Sequence, residues 1–129
     1  MRYMMIVKGD KSYEAGAPPK PELMAAVGKL SEEMIKAGVL LDMGGLLPTS
    51  KGALINVKKG KLIVTDGPFS ETKEVVGGFV IIEAKDYDEA VEIARLHPAA
   101  RMGEELGWGI ELRAMEHCQL IEAAKSGRS

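Results

Sequence analysis

The residues best suited to chemistry concentrate in one segment, 66–74, which reads DGPFSETKE. Asp-Gly-Pro is typical of a turn, and such a turn could place Asp66 at the mouth of a cavity. Glu71 and Lys73 are two residues apart and share a face if the segment is extended. Together with Asp66 they could hold a polar ligand or shift one another's pKa. The structural alternative is that Asp66 caps the turn while Glu71 and Lys73 form a solvated ion pair.

His97 is the second candidate for chemistry. It continues the apolar stripe of a predicted helix that begins at Asp86 and ends before Pro98. In the last turn of a helix, the helix dipole stabilises the protonated form of a histidine. This stabilisation alone would explain a histidine at this position. The functional alternative is a general base, which needs a nearby acid to orient it, and Asp66 could serve.

Two glycine pairs, Gly44-Gly45 and Gly77-Gly78, interrupt predicted strands. Each pair is typical of a bulge or of a close approach by backbone or ligand. We therefore count Gly44, Gly78 and Phe69, with Glu71 and Lys73, as candidate ligand contacts.

Several classes of site are absent from the sequence. One cysteine and two histidines twenty residues apart make a zinc site improbable. Neither a phosphate-binding glycine loop nor a G-x-S-x-G elbow occurs. We expect no metal and no cofactor.

Length and charge limit the domain organisation and the kinds of partner that the protein can have. The chain has 129 residues, of which 46% are hydrophobic, and a net charge of −2. We predict one domain over residues 1–120 and a C-terminal tail over 121–129. The weak negative charge argues against a nucleic-acid partner and a polybasic membrane anchor. The single cysteine requires no oxidising compartment, and the apolar run at residues 3–7 is too short to span a membrane, so we expect a cytoplasmic protein.

The elements that must position these residues follow from periodicity. Strands are predicted at 3–8, 39–43, 76–84 and 108–115, helices at 21–37 and 86–97, a hairpin at 53–65, and a loop at 9–21. With the hairpin set aside, the order is that of a ferredoxin-like α+β fold, βαβ(β-hairpin)βαβ, with an antiparallel sheet.

Both faces of the predicted sheet are apolar. Met4 and Ile6 alternate with Tyr3, Met5 and Val7, and the strand at 76–84 alternates in the same way. The two helices can cover only one of these faces. We therefore predict a homodimer that buries the other face, and a ligand cavity on that same face.

Residues 66–79 closely resemble the motif of the DGPF group of YCII-related proteins. Further resemblance lies at 3–5, 44–46, 97–98 and 110–113, so that it covers roughly residues 1–116. The resemblance implies a dimeric α/β-barrel fold in which two ferredoxin-like sheets face each other. It also implies an acid–base pair of His97 and Asp66, and similar folds include monooxygenases, isomerases and dehydrohalogenases acting on small cyclic compounds. Some members look to be encoded beside sigma factors, which implies a possible transcription regulator as partner.

Three functions remain open. The first is a dimer that binds or senses a small molecule near the DGPF motif. The second is a cofactor-independent lyase or isomerase for a small cyclic or carbonyl substrate, with His97 as base, Asp66 orienting it, and Lys73 or Glu71 holding the substrate. The third is a module that contacts a transcription regulator. An enzyme needs His97 and Asp66 in one enclosed cavity, a binding protein needs only the cavity, and an interaction module needs neither.

Overall fold

The computed structural model of the protein describes residues 1–69, 75–103, 107–116 and 124–127. Within these ranges the predicted strands and helices occur in the predicted order, joined by two further short helices. The strands are β1 (Arg2–Lys8), β2 (Leu40–Gly45), β3 (Ala53–Lys58), β4 (Lys61–Asp66), β5 (Val76–Glu83) and β6 (Gly109–Ala114). The helices are α1 (Lys11–Glu14), α2 (Pro21–Lys36), α3 (Tyr87–Ala94) and α4 (Pro98–Arg101), with a 3₁₀ turn at Thr49–Lys51.

Four strands form one antiparallel sheet in the spatial order β2-β5-β1-β6. β1 pairs with both β5 and β6, and β2 pairs with β5. Without the β3–β4 hairpin, which forms a sheet of its own, this is the strand order of the ferredoxin-like fold. The predicted α+β class with an antiparallel sheet is confirmed.

The core lies between one face of the sheet and helices α2 and α3. Tyr3, Met5, Val80 and Ile82 point from the sheet towards buried residues of both helices, Leu30, Met34, Ala90 and Ala94. Helix α2 begins at Pro21, whose missing N–H is no loss at a helix start. Helix α3 begins after Asp86, whose carboxylate accepts a hydrogen bond of 2.9 Å from the Glu89 N–H, in agreement with the predicted helix start.

The opposite side of the sheet, called here the open face, carries Met4, Ile6, Phe79 and Ile81. These four side chains are half-buried, and the register places Met4 opposite Ile81 and Ile6 opposite Phe79. No helix of the described residues covers them, because α2 and α3 contribute to the core on the other side. The burial of this face in a homodimer stays a prediction.

The β3–β4 hairpin projects from the rest of the chain. Its turn places Lys59 at φ 50° and Gly60 at φ 77°, and two left-handed residues are typical of the tight hairpin turns that match strand twist. Every residue of both strands is exposed. The hairpin therefore forms no part of the core.

Two predicted boundaries were wrong. The 9–21 segment, predicted as a loop, contains α1, because the Asp10 carboxylate caps it by accepting a hydrogen bond of 3.0 Å from the Tyr13 N–H. The second predicted helix ends at Ala94 rather than reaching His97. Residues 117–123 and 128–129 lie outside the described ranges, and the predicted tail at 121–129 stays a prediction.

Candidate functional site

A cavity of about 260 Å³ lies between the N-terminal half of α2 and the sheet end where β1, β2 and β5 meet. Its walls are mostly apolar and include His97. The lining residues are Val7, Tyr13, Pro19, Leu23, Met24, Val27, Met43, Gly44, Gly45, Gly77, Gly78, Phe79, Val80, His97 and Trp108. Val7 and Val80 belong to the helix-covered side of the sheet. This cavity therefore opens on the helix-covered side of the sheet and also reaches Phe79 of the open face. The predicted ligand cavity on the open face itself stays a prediction.

His97 occupies the position just before α4, not the end of α3. Its Nδ1 accepts a hydrogen bond of 3.0 Å from the Ala99 N–H, so it caps the N-terminus of α4. Pro98 is the first residue of that helix rather than the residue that stops the preceding one. The expected contact with the negative end of a helix was therefore wrong, and His97 faces the positive end of a short one.

Burial makes the His97 imidazole neutral. The residue is only 2% exposed, and this burial lowers the pKa of His97 to about 4. Because Nδ1 accepts the Ala99 N–H, the single proton of the neutral ring lies on Nε2. His97 therefore presents a hydrogen-bond donor at Nε2.

The Nε2 atom is available to a ligand. It makes no hydrogen bond within the described residues, where Nδ1 alone is engaged. No fully buried side-chain nitrogen or oxygen in this part of the chain lacks a partner, so Nε2 is not sealed within the protein. Since His97 lines the cavity, the cavity is where Nε2 can meet a ligand.

Tyr13 and Trp108 form an aromatic wall of the cavity. Their rings meet edge to face, with centroids 5.4 Å apart and planes at 75°. The Tyr13 hydroxyl donates to the Leu46 carbonyl, and burial raises the pKa of Tyr13. The hydroxyl therefore stays protonated. Its hydrogen is engaged by the Leu46 carbonyl rather than by a ligand.

Close approaches explain the glycine pair in β5. Gly77 has no strand partner, because Gly78 pairs with Val7 and Val76 pairs with Lys8, and it forms the predicted bulge. A β-carbon at Gly77 would lie 2.8 Å from the Trp108 ring. At Gly78 it would lie 2.6 Å from the carbonyl oxygen of Gly44 in the neighbouring strand. The glycines allow the aromatic wall and strand β2 to approach β5 this closely.

The DGPF segment joins the hairpin to the body of the protein. A β-carbon at Gly67 would lie 1.7 Å from the Thr49 carbonyl oxygen, so only glycine fits there. The Gly67 N–H donates to the Gly52 carbonyl at 3.0 Å, and the Phe69 N–H donates to Thr49 Oγ1 at 2.9 Å. Thr49 in turn donates through its N–H and its hydroxyl to the Glu14 carboxylate. The motif thus fixes the root of the hairpin to α1.

The structure separates the predicted site residues into two groups. His97, Gly44 and Gly78 line the cavity. Asp66 ends β4 opposite Ala53, is exposed, and does not line this cavity within one chain. Phe69 lines a different, open cleft of about 670 Å³ at the hairpin root, which shares Gly45 with the cavity.

Glu71 and Lys73 lie outside the described residues, so their contacts with a ligand stay predictions. Among the described residues, no hydrogen bond is made by the Asp66 carboxylate, and the N–H groups of Gly67 and Phe69 hold the turn. The pairing of His97 with Asp66 also stays a prediction.

Sequence reasoning missed the Tyr13–Trp108 wall and the contribution of α2. The available signal was the placement of Trp108 between two glycines, together with the Gly77-Gly78 pair against which its ring packs. Nothing in the sequence linked Glu14 to Thr49, which are 35 residues apart.

The comparison with protein families decides the classification. Residues 1–106 match the family model described as the YCII-related domain. The chain belongs to the YCII-related family. A relative in this family, an uncharacterised protein of Rhizobium meliloti, is 32% identical over 97 residues, which cover 74% of this chain and 78% of the relative.

A solved structure of similar fold is 5-chloro-2-hydroxyhydroquinone dehydrochlorinase from Burkholderia phenoliruptrix, in complex with 2,5-dihydroxybenzoquinone. The match has a TM-score of 0.51 at 15% identity and covers 92% of this YCII-related chain and 97% of the other. At this identity the likeness establishes the shared fold.

Among the described residues, no helix is both long and apolar enough to cross a membrane. Nor do the described ranges bring together three His, Cys, Asp or Glu side chains that could hold a metal.

Proposed function

We propose that this YCII-related protein is a homodimer that binds a small, mostly apolar molecule carrying a hydrogen-bond acceptor in the His97 cavity. The cavity is slightly smaller than the ~300–1,000 Å³ typical of drug-sized ligands, and it suits a molecule with a single ring. Among the described residues, the lining includes no Lys, Arg, Asp or Glu side chain, which favours an uncharged body. Small-molecule binding needs a cavity but no catalytic pair. This agrees with the position of Asp66, which does not line the cavity within one chain.

One observation carries the proposal: Nδ1 of His97 is occupied by the Ala99 N–H, which leaves Nε2–H as a donor towards the ligand. A carbonyl, quinone or phenolic oxygen is the complementary group. For His97 to act as a base at Nε2, its proton would have to move to Nδ1 and displace the Ala99 hydrogen bond. The donor role requires no such change.

A second candidate is a cofactor-independent enzyme for a small cyclic or carbonyl substrate. The similar fold of a dehydrochlorinase, solved with a benzoquinone, favours this candidate. A neutral imidazole can polarise a substrate carbonyl by donating a hydrogen bond, and this is the contribution that His97 would make. Asp66 from the partner, with Glu71 or Lys73, would supply the remaining groups. The presence of a cavity favours both candidates over a module that only contacts a transcription regulator.

The test is calorimetric titration of the protein with tetramethyl-1,4-benzoquinone, an uncharged quinone, and with toluene as a probe that has the ring but no acceptor. Two substitutions distinguish the N-cap role of His97 Nδ1 from the donor role of His97 Nε2. His97→Asn keeps a good N-cap for α4 but removes the donor to the cavity, whereas His97→Gln loses the cap and places an amide near Nε2.

We expect His97→Asn to weaken quinone binding by about tenfold, since a net hydrogen bond is worth ~1 kcal/mol and an unsatisfied partner adds to the loss. Toluene binding should be unchanged within a factor of about two. His97→Gln should retain more quinone affinity but less stability than His97→Asn. Equal quinone affinity in the parent and in His97→Asn would contradict the proposal.

A further inference from the structure

One face of the β3–β4 hairpin is apolar and uncovered. The register places Ile55 opposite Val64 and Val57 opposite Leu62, and directly opposed side chains share a face. These four residues are 60–70% exposed to solvent. They form what is called here the arm face.

The other face of the hairpin is directed towards the body of the protein. Its large apolar residues, Leu54 and Ile63, are only 40% and 38% exposed, and Leu54 lines the cleft at the hairpin root. Lys58 and Lys61 pair next to the turn and lie on this same inner face, because side chains alternate along a strand. The arm face therefore points away from the body of its own chain and carries neither of these lysines.

The arm face has no packing partner within the described residues. A two-stranded hairpin is marginal in water unless it packs against another element. In the described part of the chain, β3 and β4 make extensive contacts only with each other. The root is nevertheless fixed, since the N–H groups of Gly67 and Phe69 are bonded to the 49–52 segment. A fixed root and an uncovered apolar face indicate a surface for a partner.

We propose that the arm face packs on the arm face of a second copy of this chain, with the two hairpins antiparallel about a two-fold axis. The contact stacks two hairpins as two layers, and isoleucine, valine and leucine are the side chains that fill the space between packed sheets. It is separate from the homodimer of the proposed function, whose predicted interface is the open face. The arm contact therefore joins one homodimer to another.

The charges at the two ends of the hairpin favour this antiparallel contact. Lys58, Lys59 and Lys61 surround the tip, whereas the exposed Asp66 lies at the root, opposite Ala53. Antiparallel packing places each basic tip beside the acidic root of the other copy. Parallel packing would bring the two basic tips together. The hairpin is thus complementary to a second copy of itself.

An anionic membrane is the competing occupant, because lysines beside apolar residues can bind lipid headgroups. In this hairpin, however, Lys58 and Lys61 lie on the face opposite to the four apolar residues. A membrane contact through the arm face would direct these two lysines away from the lipid. A second protein surface therefore fits the arm face better.

The exposed area indicates a specific but weak contact. The four side chains together expose roughly 500 Å² on each copy, so the contact buries about 1,000 Å² in total, near the lower bound for specific interfaces. We therefore expect homodimers joined by arms to separate on dilution before the homodimers themselves dissociate.

The experiment is sedimentation equilibrium of the full chain over the micromolar range, with circular dichroism to verify folding. Ile55→Glu places a charge at the centre of the arm face, where the residue is 63% exposed and its own fold tolerates the change. Asn56→Glu is the matched control, since it adds the same charge to the inner face of the same strand.

The parent and Asn56→Glu should reach four times the chain mass of 13.9 kDa, and Ile55→Glu should stop at twice that mass. The dissociation constant between homodimers should rise by about a hundredfold in Ile55→Glu, as the loss of a central contact does.

A cross-link tests whether the two arm faces meet each other. Cys118, the one cysteine of the chain, is first replaced by serine. In Ile55→Cys the two-fold axis brings the same residue of both copies together, so a short bismaleimide should link two chains. Asn56→Cys, on the inner face, should remain unlinked under the same conditions.

The outcomes separate the arm contact from the homodimer. A parent at twice the chain mass that keeps this mass in Ile55→Glu would overturn the arm contact and leave the homodimer in place. A parent at twice the chain mass that falls to one chain in Ile55→Glu, with Ile55→Cys linked, would support the arm contact and overturn the separate homodimer. A monomeric parent would overturn both.

Two further results would also overturn the contact between arm faces. Loss of assembly in Ile55→Glu without a cross-link in Ile55→Cys would mean that the arm packs on another surface. A parent that never exceeds twice the chain mass but binds phosphatidylserine vesicles, with binding lost in Ile55→Glu, would assign the arm face to a membrane.

Discussion

Between pH 7 and pH 4, the free energy of unfolding should fall by roughly 3 kcal/mol more in the parent than in His97→Asn. The cause is the difference between the ordinary pKa of 6.5 and the folded-state pKa of about 4. Below pH 6.5 the unfolded chain gains a proton on His97 that the folded chain does not accept. The contribution of His97 to the free energy of unfolding is therefore fully present above pH 6.5 and is progressively lost as the pH falls towards 4.

Urea unfolding at half-unit pH intervals measures this difference. Carboxylates also titrate near pH 4, but they are common to both proteins, so subtraction of the two curves isolates His97. Among the described residues that line the cavity, Tyr13 is the other titratable side chain, and burial raises its pKa, away from this window. Parallel curves for the parent and the variant would contradict the buried, neutral state of His97.

Gly78→Val should be the most damaging substitution in the sheet, with a loss of about 1–3 kcal/mol or more of unfolding free energy. The first added carbon would lie 2.6 Å from the Gly44 carbonyl oxygen, and that atom belongs to a paired strand that cannot move alone. Because Gly78 also lines the cavity, quinone affinity should fall as well.

Gly109→Val is the matched control, because a β-carbon there meets nothing within 4 Å and the residue also lies in a strand. A valine in an open strand position should be neutral or slightly stabilising. Thermal melts of both variants test the prediction, which fails if Gly78→Val and Gly109→Val have the same melting temperature.

The sequence by itself determined the order of elements and the fold class. Helix α2 follows from the spacing of Leu23, Leu30 and Met34, and the start of α3 follows from Asp86 and Glu89. These signals are local, since helical periodicity, caps and tight turns depend on residues a few positions apart. The close approach at Gly78 was also predictable, because glycine in a strand interior has few other reasons to occur.

Only the tertiary structure decided the site. The sequence at His97-Pro98 allows either the end of one helix or the start of the next, since proline both stops a helix and favours its first turn. The structure assigns His97 to the start, which fixes its proton on Nε2 and reverses the expected influence of the helix dipole. The cavity likewise unites Tyr13, Leu23, Gly78 and Trp108, which are distant in sequence.

The contacts of the DGPF segment were likewise decided by the tertiary structure. Its residue types indicated a turn, and the turn is present. Within the described part of the chain, its hydrogen bonds run from Gly67 to Gly52 and from Phe69 to Thr49. Local turn chemistry is encoded in four adjacent residues, whereas the partner that a turn packs against is chosen by the whole chain. Burial and hydrogen-bond partners depend on contacts between distant segments, which is why the positions of His97 and Asp66 emerged only from the fold.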